Sequence, residues 1–557
     1  MAPVAESLGA PAQPAPWRLP LPAWRSVALA LLLLLVWTAG LGRLPLFDAD
    51  EGAFAEASRE MLAHGDWGHT TLNGRDRFDK PIGVYWLQAA AMAAFDADEW
   101  AARLPSALAG WAWALALAGY AATRWGARCA WLAAGLLSTT IGPALIGRAA
   151  TADAGLHLLL TLALLDLARS LAAADDAAAA ARARSRVGIW VGLGLLVKGP
   201  VAVLLPAGAL VTLALVQRLR GDAERSAAAA LRDWLRDPRP WGWMLLIALP
   251  WYAHALQRHG LSFVDGFILR HHVERLATPL EGHRGPWLYH LLALPLLLLP
   301  WTPLLGRIWR QRRAWLATPD TALLLAWSLF ALGFFTLVAT KLPHYALYAI
   351  SPLVLLAAQA LAAQAPGRAL ALALVGSSAF LVLAGAASAA LGLWWAEAGA
   401  PPHERALLQA AADHPGPAAG LAPLVLALQA ALAAWIWWWP RHRRAAVLTA
   451  AALAIGWWLV VVVPWWAQVL QAPVKALALQ ARDRGLTLVQ WGLHHPSAGF
   501  YRGQPVEQRA PRPGEVALVR QDRLARLLSE ADEPGARWEL ITPEGAYRLV
   551  LRHGTAR

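Results

Sequence analysis

The sequence predicts an all-α protein that crosses a membrane about thirteen times and carries a small α/β domain after its last span. Three observations predict it. The chain of 557 residues is 58% hydrophobic and 15% charged, with a mean hydropathy of +0.41, more apolar and less charged than soluble domains. Apolar runs long enough to span a bilayer recur through most of its length. Arginines collect in alternate gaps between those runs, as they do on the cytoplasmic side of membrane proteins.

Residues 1–24, rich in Ala and Pro, read as a disordered cytoplasmic segment. The run Val27–Leu41, preceded by Arg18 and Arg25, reads as an uncleaved signal anchor, because polar sequence and further spans follow without a small-residue cleavage site. The spans centre near residues 33, 113, 137, 161, 192, 208, 248, 296, 330, 354, 382, 428 and 457, and the pair around 192 and 208 is broken at "VKGP". With the N-terminus inside, the inner loops hold Arg124 and Arg128, then Arg182, Arg184 and Arg186, then the set from Arg218 to Arg239. Next come Arg307, Arg310, Arg312 and Arg313, then Arg368, then Arg441, Arg443 and Arg444. The net charge of +13 is thus explained by topology, and nucleic acid is not an expected partner. A single cysteine, Cys129, excludes an internal disulfide framework.

The expected division is a membrane domain over 25–470, with a first outer loop at 43–102, and a periplasmic domain over 471–557. In that tail "LTLVQWGL" and "EVALV" read as strands and "RLARLLSE" as a helix.

The outer ends of the spans hold the unusual side chains. Lysine occurs four times against a large excess of arginine, and Lys80, Lys198 and Lys341 all fall on the outer side, in "DKP", "VKGP" and "TKLP". A lysine offers a phosphate oxygen a compact point charge, although each one singly also fits a snorkelling anchor. Asp153 lies at the outer start of the fourth span, where it reads equally as a helix N-cap. Asp166, deeper in that span, reads as structural. The outer loop 261–286 adds His271, His272, Arg275, His283 and Arg284, whose spacing matches no strong zinc motif. Cations, carboxylates and aromatics therefore gather at one depth, which suits a lipid-linked anion entering from the bilayer.

The densest acidic stretch is "FDADEGAFAE", residues 47–56. Its D-x-D pattern could hold a divalent metal, but Asp48 and Glu51 have capping-box spacing for a helix running to about His64, which leaves Asp50 without a structural role. Phe54, Ala57 and Met61 form an apolar stripe suited to the membrane interface. No metal or other cofactor is expected.

"DEGAFAEASREMLAHGDW", "RFDKPIGVYW", "VKGP", "HRGPWLY" and "TKLPHYALY" occur in an order that resembles the lipid A aminoarabinose transferase (ArnT) family, within the GT-C class of polyprenyl-phosphate-dependent glycosyltransferases that includes the protein O-mannosyltransferases. The resemblance covers about Leu44 to Pro352. It implies a GT-C fold with thirteen spans, amphipathic helices in the first outer loop, and a periplasm-facing cavity. By the same motifs, Asp50 matches the family's first-loop aspartate and Asp153 its second important one, both expected to be catalytic, and Lys80, Lys198, Lys341 and Tyr345 match positions near the lipid phosphate; Arg275 of the outer loop is expected to assist there. Glu51, Asp79, Tyr85, His283, Arg284 and His344 are the remaining expected substrate or lipid contacts. The chain departs from the family pattern at Ala53, where an arginine is usual, at Phe54, where a tyrosine is usual, and at Asp79, where a glutamate is usual.

The implied reaction is transfer of a sugar from undecaprenyl phosphate, with inversion, to a lipid A phosphate at the periplasmic face of a bacterial inner membrane, by a monomer. The alternatives are another acceptor (lipopolysaccharide core, another glycan or a protein) or transport of a lipid-linked sugar. A transporter predicts mid-bilayer charges and inverted repeats, and neither is evident in the sequence.

Overall fold

The computed structural model describes residues 23–173, 175–221, 227–279, 282–414, 416, 420–530 and 537–554. The expected N-terminal disorder over 1–24 falls almost wholly outside them. Every span centre expected from the sequence falls on a helix. Among the described residues seven stretches are long and apolar enough to cross a membrane, including Asp153–Ala172, Pro343–Ala363 and Arg368–Ala398. The chain is a multi-pass membrane protein.

Local chemistry sets the helix ends. Asp98 caps the helix Glu99–Trp125, its carboxylate accepting from the Ala101 amide at 2.7 Å, and Gly126, at φ +86°, stops it. Helix Ala177–Lys198 ends at Gly199, also left-handed at φ +81°, and Pro200 then starts Val201–Leu219. That Gly-Pro step is the break expected at "VKGP".

The bundle has two chemically distinct ends. The Glu99 end of Glu99–Trp125 meets the C-terminal domain, where Tyr501 donates to Glu99 at 3.1 Å. At the other end, about 40 Å away for a helix of this length, Arg124 pairs with Asp320 at 2.6 Å. Helices Asp153–Ala172 and Pro319–Leu337 run between the same two ends, with Asp153 and Lys341 at the first and Asp166 and Asp320 at the second. Asp166 accepts from Arg186, Arg169 and Trp190 at 2.7–2.9 Å, the structural role expected of it.

Large aromatics fill the main core, with Trp113, Trp301, Trp327, Tyr85 and Tyr348 all buried. A second core joins Leu46, Ala55, Met92 and Ala101 of the first-loop region to Val474, Leu477, Leu518 and Leu549.

Those last residues belong to a four-stranded sheet domain. Strands β1 (Thr71–Leu72) and β2 (Arg75–Asp76) form a separate hairpin in the first loop; β3 (Leu488–Gln490), β4 (Val516–Arg520), β5 (Arg537–Glu544) and β6 (Tyr547–His553) form the sheet. Its order is β3-β4-β6-β5, with β3 parallel to β4 and the other pairs antiparallel. The strands expected in "LTLVQWGL" and "EVALV" and the helix expected in "RLARLLSE" are all present.

The first loop differs from the sequence expectation in three ways. Its helix, Asp50–His64, does not lie on an interface: Phe54, Ala57 and Met61 are buried against the core, and Phe54 stacks on Tyr85 at 5.5 Å. Asp48 does not cap it. The Asp48 carboxylate accepts from the Ser497 amide at 3.0 Å and from the Ser497 hydroxyl, and contacts His495 at 3.2 Å, so it clasps the C-terminal domain. Glu51 keeps half of a capping box, accepting from the Phe47 amide at 2.8 Å. Its main partner is Arg103, whose Nε and Nη2 donate at 2.8 and 2.6 Å. Both side chains are about 5% exposed, which makes Glu51 a structural residue and not a lipid contact. Capping-box spacing is a local pattern, and these partners are distant in sequence.

Arg103 also donates to the carbonyls of Leu41, Leu44 and Pro45 at 2.6–2.8 Å. Breaking a buried, fully bonded ion pair from one side leaves the other charge uncompensated, at a cost of about 3–5 kcal/mol. Arg103→Ala is therefore expected to lower the unfolding midpoint of the detergent-solubilised protein sharply, and a midpoint within a degree of wild type would contradict the role given to this pair.

Candidate functional site

The site lies at the C-terminal-domain end of the bundle and is assembled in four parts from six stretches of the sequence. The first is the loop helix. Asp50 is its first residue, exposed, with its carboxylate in the field of Arg77 and His344.

The second segment, "RFDKP", follows hairpin β1–β2, whose Asn73-Gly74 turn has both residues at positive φ, the geometry of a two-residue hairpin loop. Arg77 donates through Nε to the buried Tyr85 hydroxyl at 3.1 Å and pairs through Nη2 with Asp79 at 3.0 Å. The other Asp79 oxygen meets His271 Nε2 at 3.1 Å. Burial disfavours the charge on Asp79, yet the His271 hydrogen bond and the Arg77 guanidinium hold its carboxyl well below the usual range. Lys80 donates to the Asp79 carbonyl at 3.1 Å, and its charge lies close to Lys198, Arg275 and Arg77.

The third part pairs helix Asp153–Ala172 with the next helix, Ala177–Lys198, which ends at "VKGP". Asp153 opens Asp153–Ala172 without making a side-chain capping bond; its carboxylate instead forms an ion pair with Lys198, the last residue of Ala177–Lys198. The N-cap reading of Asp153 is thereby replaced by a cation partner. Both side chains are about 11% exposed. Gly199 holds this corner closed, because a Cβ there would sit 2.8 Å from the Phe267 ring and 3.1 Å from His272.

The fourth part brings Arg275, just after the π-helical stretch Val264–Glu274, to Tyr345 of "TKLPHYALY", whose hydroxyl accepts from Arg275 Nη1 at 3.1 Å. His344 packs edge-on against Tyr345 at 4.9 Å and lies in the field of Asp153, Lys198, Asp50 and Arg275.

The structure thus brings together Asp50, Asp79, Lys80, Tyr85, Asp153, Lys198, Arg275, His344 and Tyr345. It does not bring Lys341 into the group. Lys341 is buried and its ammonium donates to the carbonyls of Phe335 and Thr336, at 3.4 and 2.6 Å, closing the end of Pro319–Leu337. His283 touches that same residue through its backbone, accepting from the Lys341 amide at 3.0 Å, while Arg284 is exposed. Among the described residues no group of three or more His, Cys, Asp or Glu side chains is arranged to hold a metal ion.

Three residues enter the site that sequence reasoning passed over. Arg77 is one arginine among many, although its place two residues before Asp79 was a usable signal. His157 lies one helical turn beyond Asp153, stacked on Trp113 at 4.9 Å, with its Nε2 buried and unbonded. Tyr348, three residues after Tyr345, lies in the field of Lys198 and Asp153.

With this geometry in hand, comparison with known proteins defines first the class. The fold is the GT-C fold: the chain superposes on the crystal structure of ArnT from Cupriavidus metallidurans bound to undecaprenyl phosphate with a TM-score of 0.72 at 23% identity, covering 95% of this chain and 98% of that one. A sequence profile of the dolichyl-phosphate-mannose-protein mannosyltransferase family matches residues 26–259. More particularly, the chain is 32% identical over 337 residues to an undecaprenyl phosphate-alpha-4-amino-4-deoxy-L-arabinose arabinosyl transferase of Sodalis glossinidius (59% of this chain, 57% of that protein). It is 29% identical over 351 residues to a protein so named in Pseudomonas fluorescens (62% of this chain, 56% of that protein). These matches bear out the resemblance to the ArnT family, and they span just over half the length of the relatives.

Two outcomes follow from the site. Burial, followed by the Lys198 charge, lowers the Lys80 ammonium to about 8. A lysine lowered in this way carries its charge below pH 8 and loses it as the pH rises through that value. Affinity for a lipid-linked phosphate is therefore expected to fall above about pH 8, and Lys80→Arg, which stays protonated, should flatten the profile. Binding of polyprenyl phosphate measured from pH 6.5 to 9.5 checks this. Secondly, Gly199→Ala places a Cβ against Phe267 in a backbone conformation that disfavours side chains. The displaced Lys198 should cost about a hundredfold in turnover for a shift of about 1 Å, and the strain of about 1–3 kcal/mol should also lower the thermal midpoint. Wild-type turnover and midpoint together would contradict the role given to Gly199.

Proposed function

We propose that this protein transfers a sugar, 4-amino-4-deoxy-L-arabinose, from undecaprenyl phosphate to a lipid A phosphate at the periplasmic face of a bacterial inner membrane, inverting the anomeric carbon. The observation that carries the reading is the cluster of three cations, Lys80, Lys198 and Arg275, beside the carboxylates Asp50 and Asp153 at one end of a GT-C bundle. The named activity of the arabinosyl transferases it matches supports the choice of donor and sugar.

The leaving group is a lipid phosphate whose negative charge grows as the glycosidic bond breaks. Cations fixed where that charge develops stabilise the transition state more than the ground state. Lys80 and Lys198 take this role, and Arg275, oriented by Tyr345, assists. Asp153 positions Lys198 through their ion pair. Arg77, held by Tyr85 and Asp79, sets the field around Asp50. An acceptor phosphate is already an anion at neutral pH and needs no base. A hydroxyl acceptor needs its proton removed, and Asp50, exposed at the helix start, is the group placed to take it.

A second reading, another polyprenyl-linked sugar on the same scaffold, is favoured by one observation. Ala53 and Phe54, where the family has arginine and tyrosine, are both buried in the loop helix beside Asp50.

Asp50→Asn and Lys80→Ala are expected to insert and fold normally but to lose at least about a hundredfold in kcat/KM when supplied with lipid-linked sugar. Full activity in both would overturn the site. Mass spectrometry of lipid A from a deletion strain tests the acceptor, since an unchanged profile under inducing conditions would overturn transfer to lipid A.

A further inference from the structure

The opposite end of the bundle carries a second gathering of charge that the transfer reaction does not use. Arg307 of helix Leu304–Arg310 is 9% exposed, and among the described residues its guanidinium donates only to the Gln364 side chain, at 3.3 Å. Arg444 and Arg310 lie within electrostatic reach of it, and Arg128 lies within reach of Arg444. Arg444 donates to the carbonyls of Leu361 and Ala362 at 2.8 and 3.2 Å, where helix Ile350–Ala363 ends. A helix C-terminus offers about half a negative charge, far less than four guanidinium groups require. Among the described residues none of the four has a carboxylate partner, whereas Arg124, Arg169, Arg184 and Arg186, at the same end, each have one. Arg307 and Arg444 both bond the chain at Leu361–Gln364 and Arg310 follows Arg307 by one helical turn, so like charges gathered there without an acid carry a binding capacity for an anion.

The surroundings say which anion. Next to Arg444, helix Ala422–Trp438 ends in Trp435, Trp437, Trp438 and Trp439, each between 48 and 72% exposed. The Arg368 guanidinium lies 4.1 Å over the Trp437 ring. Exposed tryptophans at a span end are the signature of headgroup depth, so the arginines sit beside lipid and not in open water. We infer that Arg128, Arg307, Arg310 and Arg444 form a binding site for the phosphate headgroup of an anionic phospholipid, at the end of the bundle away from the transfer site.

The test uses the full chain in detergent, with dioleoylphosphatidylglycerol or dioleoylphosphatidylcholine added and the retained lipid read by native mass spectrometry. The double variant R128Q/R310Q removes the two exposed charges and leaves the buried contacts of Arg307 and Arg444 intact. Wild type is expected to retain phosphatidylglycerol preferentially, and the variant to lose about fivefold in affinity for each charge removed. Its binding of polyprenyl phosphate should be unchanged, which separates this site from the transfer site. Equal retention of both lipids, or unchanged retention by the variant, overturns the inference. Competition by inorganic phosphate as effective as that of the lipid overturns the headgroup assignment, since it identifies a site for a small free anion.

Discussion

The buried pair of Glu51 and Arg103 is the constraint on which the site depends. The Glu51 carboxylate fixes two parts of the site at once: Glu51 is covalently next to Asp50, and its Oε1 accepts from the Ala150 amide at 2.7 Å, three residues before Asp153. Arg103 meanwhile gathers three carbonyls of the turn that leads from the first span into the loop. Asp50 and the segment leading to Asp153 therefore hang from a single desolvated charge pair. Such a pair contributes little net stability compared with well-packed apolar residues. What it supplies is geometry, because a charged side chain with every hydrogen bond met has one acceptable position.

Charge is sorted along the bundle by chemistry as well as by topology. At the end that meets the C-terminal domain the site's cations each lean on a neighbour: Lys198 on Asp153, Arg275 on Tyr345, Arg77 on Tyr85 and Asp79. Restrained cations lose little entropy when an anion arrives, which is what preorganisation means for a phosphate site. At the opposite end arginines dominate, some neutralised by Asp166, Asp237 and Asp320 and others, among the described residues, without a carboxylate partner. The first arrangement suits an anion that develops charge during reaction, and the second an anion that only needs to be held.

How much of this was legible in the sequence depends on the distance over which each interaction acts. The helices follow from apolar runs, and the break at "VKGP" from Gly199 and Pro200, because those preferences are local. Asp153 and Lys198 were legible as residues worth explaining, since both stand at the outer ends of apolar runs, and their pairing follows once two adjacent helices are placed side by side. Asp48 was not legible. Its D-x-x-E spacing imitates a capping box, and only the fold reveals Ser497, 449 positions away. Phe54, Ala57 and Met61 read in the sequence as an interfacial stripe, because an amphipathic face looks the same whether it meets lipid or protein. Lys341 shares its surroundings in the sequence with the other lysines, but the end of Pro319–Leu337 leaves carbonyls open, and the ammonium goes there.

The clasp between Asp48 and the C-terminal domain also bears on biogenesis. Besides Asp48, Leu46 donates its amide to Tyr501, Arg59 donates to the Gly503 carbonyl, and Asn73 accepts from the Val506 amide. Gly499 approaches so near the loop helix that a Cβ would stand 2.8 Å from Glu56. The segment bearing Asp50 is thus made early and braced late. At about 5–20 residues per second, synthesis of the intervening chain takes roughly 20–90 s. During that interval the loop emerges without its partner, so a ribosome-bound or truncated chain has its spans in place but an unbraced site. Synthesis of the C-terminal domain, and not insertion of the helices, is the event that sets the Asp50 segment in position.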